Sequence, residues 1–292
     1  MNNSILIIGA TGNLGREITR QLTVKGHKVR VGVRKPEQYQ APTDQVEAVR
    51  FDFDDPTTYC PTLDGIKKLF LIALPLDPEA PLMLSPVIQA AKQAGVEQIV
   101  FTSAFGVDQN EEAPLRKVER LLEASGLGHT VLRPNFFMDN FSTGFIGPMI
   151  QGADGIFVAA EDAKTSFIAI TDIAAVAVAA LTEEGHVGKA YNLTGPQALD
   201  HSEIAAVINE VSGRNIIYQP ISEDDMRQGA LENGLPEPNV DYLTVLYQVT
   251  RAGYLAATTS DVEQVLGRPA LNFAEFAQQN QTVWKLQEAA NS

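Results

Sequence analysis

The feature that most constrains this chain is a short apolar segment that runs directly into a glycine-rich turn. Ile5 to Ile8 are all aliphatic, a pattern typical of a strand buried on both faces, and Gly9-Ala-Thr-Gly-Asn-Leu-Gly15 follows them. The helix expected next would point its first N–H groups at a pyrophosphate, which a Cβ atom at the closest approach would block. Gly15 would let that helix lie close to the sheet. The turn therefore predicts a dinucleotide site formed by Gly9, Thr11, Gly12, Asn13, Leu14 and Gly15.

Strand and helix patterns alternate through the first 134 residues. Further strands are predicted at 28–33, 47–52, 68–73, 98–102 and 129–133. This alternation predicts an α/β fold, a Rossmann-type doubly wound parallel sheet. We expect an NADP(H)-binding Rossmann domain at 1–135, which a returning strand near 190–194 rejoins, and a small, mostly helical C-terminal lobe at 136–292.

The C-terminal half has weaker local signals. Residues 135–152 have the composition of a loop and 165–169 the pattern of a strand. The stretch at 235–239 (Leu-Pro-Glu-Pro-Asn) is the most linker-like, but it is too short to separate domains. Thr171-Asp172 is a predicted cap for an Ala/Val-rich helix. Helices are also predicted at 202–212 and 222–233.

Two cations at the end of the second predicted strand indicate which dinucleotide binds. Sites that prefer NAD place an acid about 20 residues past the glycines, whereas a 2′-phosphate requires a cation. Arg34 and Lys35 stand there, Arg34 being 19 residues beyond Gly15. The sequence therefore favours NADP(H). Asp52 and Phe53 are expected beside the adenine, although Asp52 is equally suited to a turn.

The charge balance argues against several partners. The chain has 292 residues, with 22 Lys and Arg against 36 Asp and Glu, for a formal charge of −14. Such a charge repels nucleic acid and anionic membranes. We expect neither partner, nor a signal peptide or membrane span.

The cysteine and histidine content points to a reducing compartment without a metal site. Cys60 is the only cysteine, so no intrachain disulfide can form, and we expect a cytoplasmic protein. The four histidines are scattered, so no zinc or iron site is predicted. Gly-x-Ser-x-Gly and P-loop motifs are absent, which argues against hydrolases and NTPases.

Several segments together resemble the NmrA-like group of atypical short-chain dehydrogenases, and within it the NADPH-dependent triphenylmethane-dye and quinone reductases. The resemblance covers nearly the whole chain and includes the glycine turn, Arg34, 51–55 (Phe-Asp-Phe-Asp-Asp), 101–103 (Phe-Thr-Ser), 125–134 (Ser-Gly-Leu-Gly-His-Thr-Val-Leu-Arg-Pro), 181–186 (Leu-Thr-Glu-Glu-Gly-His), 191–193 (Tyr-Asn-Leu) and 210–213 (Glu-Val-Ser-Gly). It implies a small C-terminal lobe that closes over the nicotinamide. It also implies that the ribose and nicotinamide are lined by Ala73, Leu74, Pro75, Thr102, Ser103, Pro134, Asn135 and Phe136.

One departure from the resembled family affects the expected chemistry. Typical short-chain dehydrogenases have a Tyr and, four residues on, a Lys; the two positions here hold Glu111 and Leu115, if Glu119 matches the family's helix glutamate. A reductase without that acid would depend on positioning an acceptor that needs little proton assistance, such as a quinone, a dye or an imine.

Aromatic residues in and near the predicted loop are the candidates for holding a flat acceptor. They are Phe105, Phe137, Met138, Phe141 and Tyr247, with Asn140 as the polar contact. Ordinary core packing explains each aromatic residue equally well. The main alternative is a non-catalytic NADP(H) sensor, which the missing dyad favours; an epimerase-like enzyme would need the absent tyrosine. A monomer and a homodimer are both compatible with the sequence.

Overall fold

The computed structural model describes residues 4–285. The first three residues, on which the expectation about a signal peptide partly rests, lie outside them. The strands are β1 (Ile5–Ile8), β2 (Val29–Val33), β3 (Val46–Arg50), β4 (Lys68–Ile72), β5 (Gln98–Thr102), β6 (Gly128–Pro134), β7 (Gly155–Ile156), β8 (Lys189–Leu193) and β9 (Ile217–Tyr218). The α-helices are α1 (Asn13–Val24), α2 (Tyr59–Leu63), α3 (Ala80–Gln93), α4 (Pro114–Ser125), α5 (Gly147–Ala153), α6 (Ile170–Thr182), α7 (His201–Ser212), α8 (Glu223–Glu232), α9 (Glu237–Arg251), α10 (Asp261–Leu266) and α11 (Phe273–Trp284).

Seven parallel strands form the main sheet, in the order β3-β2-β1-β4-β5-β6-β8. The strand order reverses between β1 and β4, so the carboxyl ends of these two strands flank the crevice where doubly wound sheets bind ligands. The predicted Rossmann-type sheet is confirmed, and β8 supplies the predicted returning strand.

The described residues divide into two compact units. The first comprises those within Met1–Pro134, together with Ile170–Leu193 and Asp261–Arg268. The second comprises Asn135–Ala169, Thr194–Ser260 and the described part of Pro269–Ser292. The structure therefore differs from the predicted contiguous division into 1–135 and 136–292. The reason is that α6 packs on α1 and on strands β4 to β6, and α10 packs on α6 and β8.

Two local predictions in the C-terminal half are wrong. Residues 165–169 make only isolated bridges, from Thr165 to Leu199 and from Ile168 to Phe137, because no neighbour continues the ladder. The stretch at 235–239, expected to be too short to separate domains, lies at the start of α9, with Pro236 as its N-cap. The predicted loop at 135–152 contains a 3₁₀ helix and most of α5.

The second unit packs its helices around an aromatic core. Its only paired strands among the described residues are β7 and β9, which form a two-stranded parallel sheet. Trp284 in α11 is fully buried, and its indole N–H donates to the Phe141 carbonyl at 2.7 Å. Within residues 4–285, no helix combines the length and the hydropathy needed to cross a membrane.

Candidate functional site

The glycine turn has two positions that the fold itself requires to be glycine. Gly9 has φ +85°, and a Cβ atom there would lie 2.6 Å from the Ile72 side chain. A Cβ atom on Gly15 would overlap the Gly9 carbonyl oxygen and lie 2.9 Å from the Ala10 Cα. Gly15 therefore allows the first turn of α1 to lie directly on the preceding loop, as the sequence predicts.

Gly12 differs from these two glycines because nothing in the fold excludes a side chain there. It is exposed, has φ −82°, and a Cβ atom would have only an ordinary contact, 3.4 Å from the Gly9 oxygen. As the N-cap of α1 it offers no side chain to cap the helix, and no acidic residue lies in the first turn. The helix N-terminus is therefore open to an external anion.

Two exposed cations follow β2 without an internal role. Arg34 and Lys35 come directly after Val33, and no carboxylate of the described residues pairs with either. By contrast Arg30, within β2, is held by Glu47 and by backbone carbonyls. Both cations are therefore available to a phosphate at the carboxyl end of the sheet.

Asp52 belongs to a turn in the structure. Its Oδ1 accepts the Asp54 backbone N–H at 3.2 Å, and its own N–H donates to the Thr58 hydroxyl at 3.1 Å. Phe53 packs edge-on against Phe51, with ring centroids 5.0 Å apart. The turn role of Asp52 that the sequence left open is therefore present, and its contact with adenine stays a prediction.

The carboxyl ends of β4 and β5 lie side by side, because Ile72 pairs with Thr102. Ala73, Leu74 and Pro75 follow β4, and Leu74 is 54% exposed, unusual for a leucine that closes a buried strand. The Thr102 hydroxyl is buried and has no hydrogen-bond partner. An unpaired buried hydroxyl at this edge calls for an external partner.

A buried ion cluster, which we call the Glu119 cluster, lies on α4 and β6. Glu119 is fully buried, and its carboxylate accepts two bonds from Arg133, at 2.9 and 2.7 Å, and one from Arg116 at 2.6 Å. Asp108, Glu111, Arg120 and Glu123 complete the cluster. Burial raises the pKa of Glu119, but bonds from Arg133 and Arg116 and the nearby Ser103 hydroxyl outweigh it and hold the pKa below its usual value.

Glu111 and Leu115 are the two positions that the resemblance equates with the tyrosine and the lysine. Hydrogen bonds from Arg120, followed by those from Arg116, lower the pKa of Glu111 to about 2, so it is ionised at neutral pH. Leu115 has no group that could transfer a proton. The Ser103 hydroxyl, beside Glu119, is buried and makes no hydrogen bond of good geometry, whereas the Ser103 N–H donates to the Leu132 carbonyl at 2.7 Å.

Asn135 and Phe136, predicted to line the nicotinamide, belong to the second unit. The Asn135 amide donates to the Ser166 hydroxyl at 2.8 Å and to the Leu255 carbonyl at 2.9 Å, and its oxygen accepts the Phe136 N–H. The amide nitrogen and the oxygen of the Asn135 side chain are therefore both hydrogen-bonded within the protein. Pro134 ends β6, and its carbonyl accepts the Phe105 N–H at 2.9 Å.

Two of the predicted acceptor contacts are core residues. Phe141 is fully buried and packs against Phe167 and Phe273, and Met138 is 2% exposed in the same core. Ordinary packing therefore explains both. Phe137 is half-buried before the 3₁₀ helix Met138–Phe141, and Phe105 is half-buried in the first unit.

Asn140 and Tyr247, the other two candidates, line a cavity in the second unit that we call the aromatic cavity. Its volume is about 240 Å³ when the open space at its entrance is included. The lining residues are Phe136, Asn140, Phe145, Ile146, Thr165, Phe167, His201, Tyr247 and Thr250. Phe136 and Tyr247 face each other with ring centroids 6.0 Å apart. Burial raises the pKa of Tyr247, which keeps its phenol protonated.

Sequence reasoning missed Thr165 and His201. Both are buried, and neither Oγ1 of Thr165 nor Nδ1 of His201 has a hydrogen-bond partner. Burial lowers the pKa of His201 to about 4, so its ring is neutral. The two residues are 36 positions apart in the sequence, and no motif marks either of them. Among the described residues no cluster of His, Cys, Asp and Glu could hold a metal ion.

Comparison with known proteins assigns the chain to a family. Residues 9–184, more than half of the chain, match the family described as NAD(P)H-binding. The chain belongs to this family. The matched segment begins at the first glycine of the turn and extends beyond the end of α6.

Individual relatives of this NAD(P)H-binding chain cover nearly its whole length. The NAD(P)H azoreductase of Xenophilus azovorans is 34% identical over 94% of this chain and 96% of its own length. The quinone oxidoreductase of Escherichia coli, solved with NADPH, has a TM-score of 0.82 at 28% identity and covers 94% of this chain and 99% of its own. The triphenylmethane reductase of Citrobacter sp., solved with NADP(H), has a TM-score of 0.81 at 26% identity, with 95% and 99% coverage.

The transcriptional regulator NmrA, solved with NADP, aligns with a TM-score of 0.76 over 97% of each chain. At 15% identity this likeness shows a shared fold alone. The family match and the reductases above confirm the expected resemblance to NAD(P)H-dependent dye and quinone reductases.

Proposed function

We propose that this protein is an NADPH-dependent reductase that transfers hydride to a flat conjugated acceptor such as a quinone, a dye or an imine. The observation that carries the proposal is the combination of an open helix N-terminus at Gly12 with two unpaired cations, Arg34 and Lys35, after β2. A pyrophosphate and a 2′-phosphate are the groups that this combination fits.

The residues of the first unit fit an NADP(H) molecule. Gly12 leaves room for the pyrophosphate at the start of α1, and Arg34 can pair with the 2′-phosphate through its planar fork. The unpartnered Thr102 hydroxyl can bind the ribose or nicotinamide end. The reduced nicotinamide, when bound, supplies the hydride.

At the two dyad positions the chain has no proton donor. Its contribution to the reaction is therefore to position the acceptor. Glu111 is ionised by its arginine partners, and Leu115 is apolar. An acceptor whose reduced form takes its proton from water does not need the missing acid. Quinones, azo compounds and iminium-like dyes meet this condition, and the printed names of the relatives, an azoreductase, a quinone oxidoreductase and a triphenylmethane reductase, support the same acceptor class.

The single, free cysteine supports a reducing, cytoplasmic setting. A small conjugated molecule is the proposed partner, and the protein is proposed to act as a monomer or a homodimer.

The test is NADPH oxidation, followed by absorbance, with a panel of quinones, azo dyes, triarylmethane dyes and cyclic imines and with NADH in parallel. Turnover with NADPH and at least one acceptor is expected. Gly12→Leu should abolish it because the side chain fills the pyrophosphate position, and Arg20→Ala is the control, since Glu17 already holds that arginine.

A non-catalytic NADP(H) sensor is the second candidate, and the ion-paired state of Glu111 favours it. A sensor would bind NADPH and NADP⁺ tightly without oxidising NADPH for any acceptor in the panel. That result would replace the reductase proposal.

A further inference from the structure

A third unpaired cation lies beside the glycine turn. Arg16 is the fourth residue of α1, is exposed, and forms no ion pair or side-chain hydrogen bond with any described residue. By contrast Arg20, one turn further along α1, is held by Glu17 through two hydrogen bonds of 2.7 Å. A positive charge near the start of a helix is unfavourable, because the helix dipole is itself positive at that end. The contacts within residues 4–285 therefore do not account for the charge of Arg16.

Arg16 lies on the flank of α1 that faces away from α6. On the opposite flank, the Gln21 side chain donates to the Thr171 carbonyl at the start of α6, at 3.0 Å. Arg16 is five positions before Gln21, which corresponds to about 140° around a helix of 3.6 residues per turn. Because α6 packs against β4 to β6 and α1 packs against β1 and β2, the flank that carries Arg16 faces the β2 side of the sheet.

The loop that follows β2 lies on this same side. Ile8 of β1 pairs with Gly32 of β2 in parallel, so the glycine turn and residues 34–39 leave the sheet at one edge. Burial raises the pKa of Tyr39, at the end of this loop segment, and the positive charge of Arg16 reduces the rise. Arg16 is therefore close enough to the loop for its charge to act on Tyr39.

Positive charge is in excess where α1 and this loop meet. Arg16, Arg34 and Lys35 are all exposed, and Glu37 is the only acidic residue in 34–39. Among the described residues, Glu37 forms no ion pair with any of the three. The Cα–Cβ bond of a helical residue points back toward the helix N-terminus, which directs Arg16 toward the turn at Gly12. An anion bound between α1 and the loop would relieve the repulsion among these cations.

We propose that Arg16 is a second arginine ligand of the 2′-phosphate of NADPH, on the opposite side of that phosphate from Arg34. The inference rests on the proposed function and adds a residue of α1 to a site that the sequence assigned to the end of β2 alone. A phosphate monoester carries nearly two negative charges and three acceptor oxygens, so it can bind two guanidinium groups. The preference for NADPH over NADH then depends on both elements.

The test titrates NADPH and NADH into the wild-type protein, Arg16→Ala and Arg20→Ala, with calorimetry as the readout. Each variant loses one exposed arginine from α1, so the two have the same net charge. Arg16→Ala should weaken NADPH binding roughly 3- to 10-fold, through loss of one exposed charge-assisted hydrogen bond, and leave NADH binding within about twofold. Arg20→Ala should leave both dissociation constants within about twofold, because Glu17 already holds that arginine.

Thermal unfolding without cofactor shows whether Arg16 has a role in the fold. Arg16→Ala should unfold at the wild-type temperature or slightly above it, because the variant removes a cation from the start of a helix. A lower unfolding temperature for Arg16→Ala than for Arg20→Ala would mean that Arg16 stabilises the fold, and the inference would fall.

Two smaller nucleotides identify the phosphate that Arg16 binds. 2′,5′-ADP and 5′-AMP differ only in the 2′-phosphate, so Arg16→Ala should weaken the binding of 2′,5′-ADP and leave that of 5′-AMP unchanged. Equal weakening of NADPH and NADH would assign Arg16 to the pyrophosphate. Unchanged binding of both would mean that water alone surrounds this arginine. Either result would overturn the inference.

Arg34→Ala distinguishes the failure of this inference from the failure of the proposed function. If Arg34→Ala weakens NADPH binding and Arg16→Ala does not, Arg34 remains as the ligand of the 2′-phosphate and only the inference about Arg16 is overturned. If the wild-type protein binds neither cofactor, the proposed function fails, and the inference fails with it.

Discussion

The polar groups of the Glu119 cluster are paired with one another, whereas those at the carboxyl ends of β1, β2 and β5 are left unpaired. In the cluster, each carboxylate oxygen of Glu119 accepts at least one bond from an arginine. At the edge, Arg34 and Lys35 have no partner among the described residues, the Thr102 hydroxyl is buried and unpaired, and Gly12 has room for a side chain that it lacks.

This difference separates residues that hold the fold from residues that are available to a ligand. Removing one member of a fully paired buried group leaves its partner uncompensated and destabilises the fold. A group with no internal reason for its identity is a candidate for binding, and the four residues named above lie at the edge where doubly wound sheets bind ligands. Changes in the first region should alter stability, and changes in the second should alter cofactor affinity.

The largest expected effect is on the stability of Glu119→Gln. Removing this carboxylate leaves Arg116 and Arg133 buried without their shared counter-ion, which should lower the free energy of unfolding by about 3–5 kcal/mol. Urea denaturation measures it. Glu123→Gln is the control, because its side chain is 41% exposed, and it should lose less than about 1 kcal/mol. Equal losses in the two variants would remove the distinction between a buried cluster and surface pairs.

Gly15 and Gly12, two of the three glycines of the turn, should respond differently to substitution. Gly15→Ala places a methyl group on the Gly9 carbonyl and should lower the unfolding free energy by about 1–3 kcal/mol. Gly12→Leu should change stability by less than about 1 kcal/mol yet abolish NADPH and NADH binding, because only the ligand needs that space. Thermal unfolding and cofactor titration on both variants provide the measurement, and normal binding by Gly12→Leu would mean that the turn is structural only.

Acid should weaken the Glu119 cluster below about pH 4.5. The folded-state pKa of Glu119 lies below the usual 4.5, so the unfolded chain takes up protons first as the pH falls. The stabilisation is complete above about pH 4.5 and is lost as the pH falls through the lower folded-state value. The stability difference between the wild-type protein and Glu119→Gln should therefore shrink below pH 4.5, and a difference that grows there would contradict the sign of the shift.

The smallest effect is expected for Thr102→Val. Its hydroxyl has no internal partner, so stability should stay within about 0.5 kcal/mol while NADPH affinity falls roughly 2- to 10-fold. Thr23→Val provides the contrast, because its hydroxyl donates to carbonyls within α1 and its loss should reduce stability alone. Unchanged NADPH affinity in Thr102→Val would remove Thr102 from the site.

The first unit could be predicted from sequence because its signals are local. The apolar strand, the glycine spacing and Arg34 lie within 30 consecutive residues, and strand–helix alternation continues to Pro134. The assignment of α6 and α10 to the sheet could not be predicted, since it depends on contacts between distant segments. The local pattern at 165–169 also gave a wrong prediction of a strand, because these residues have no neighbouring strand with which to form a ladder.

The second unit shows why its site was harder to predict. Aromatic composition identified Phe141 and Tyr247 together, yet one is a core residue and the other lines the cavity. Thr165 and His201 become candidates only because a buried polar atom of each side chain has no hydrogen-bond partner, and the sequence alone cannot show this. Side chains of ordinary type become candidate binding residues once their burial and hydrogen bonds are known.

The most direct test of the account is a titration of wild-type protein and Arg34→Ala with NADPH and, in parallel, with NADH. The account predicts that Arg34→Ala weakens NADPH binding about 10-fold or more, through loss of a charge-assisted bond to the 2′-phosphate, and leaves NADH binding nearly unchanged. Equal weakening of both cofactors, or no weakening of NADPH, would contradict the assignment of this edge to NADP(H).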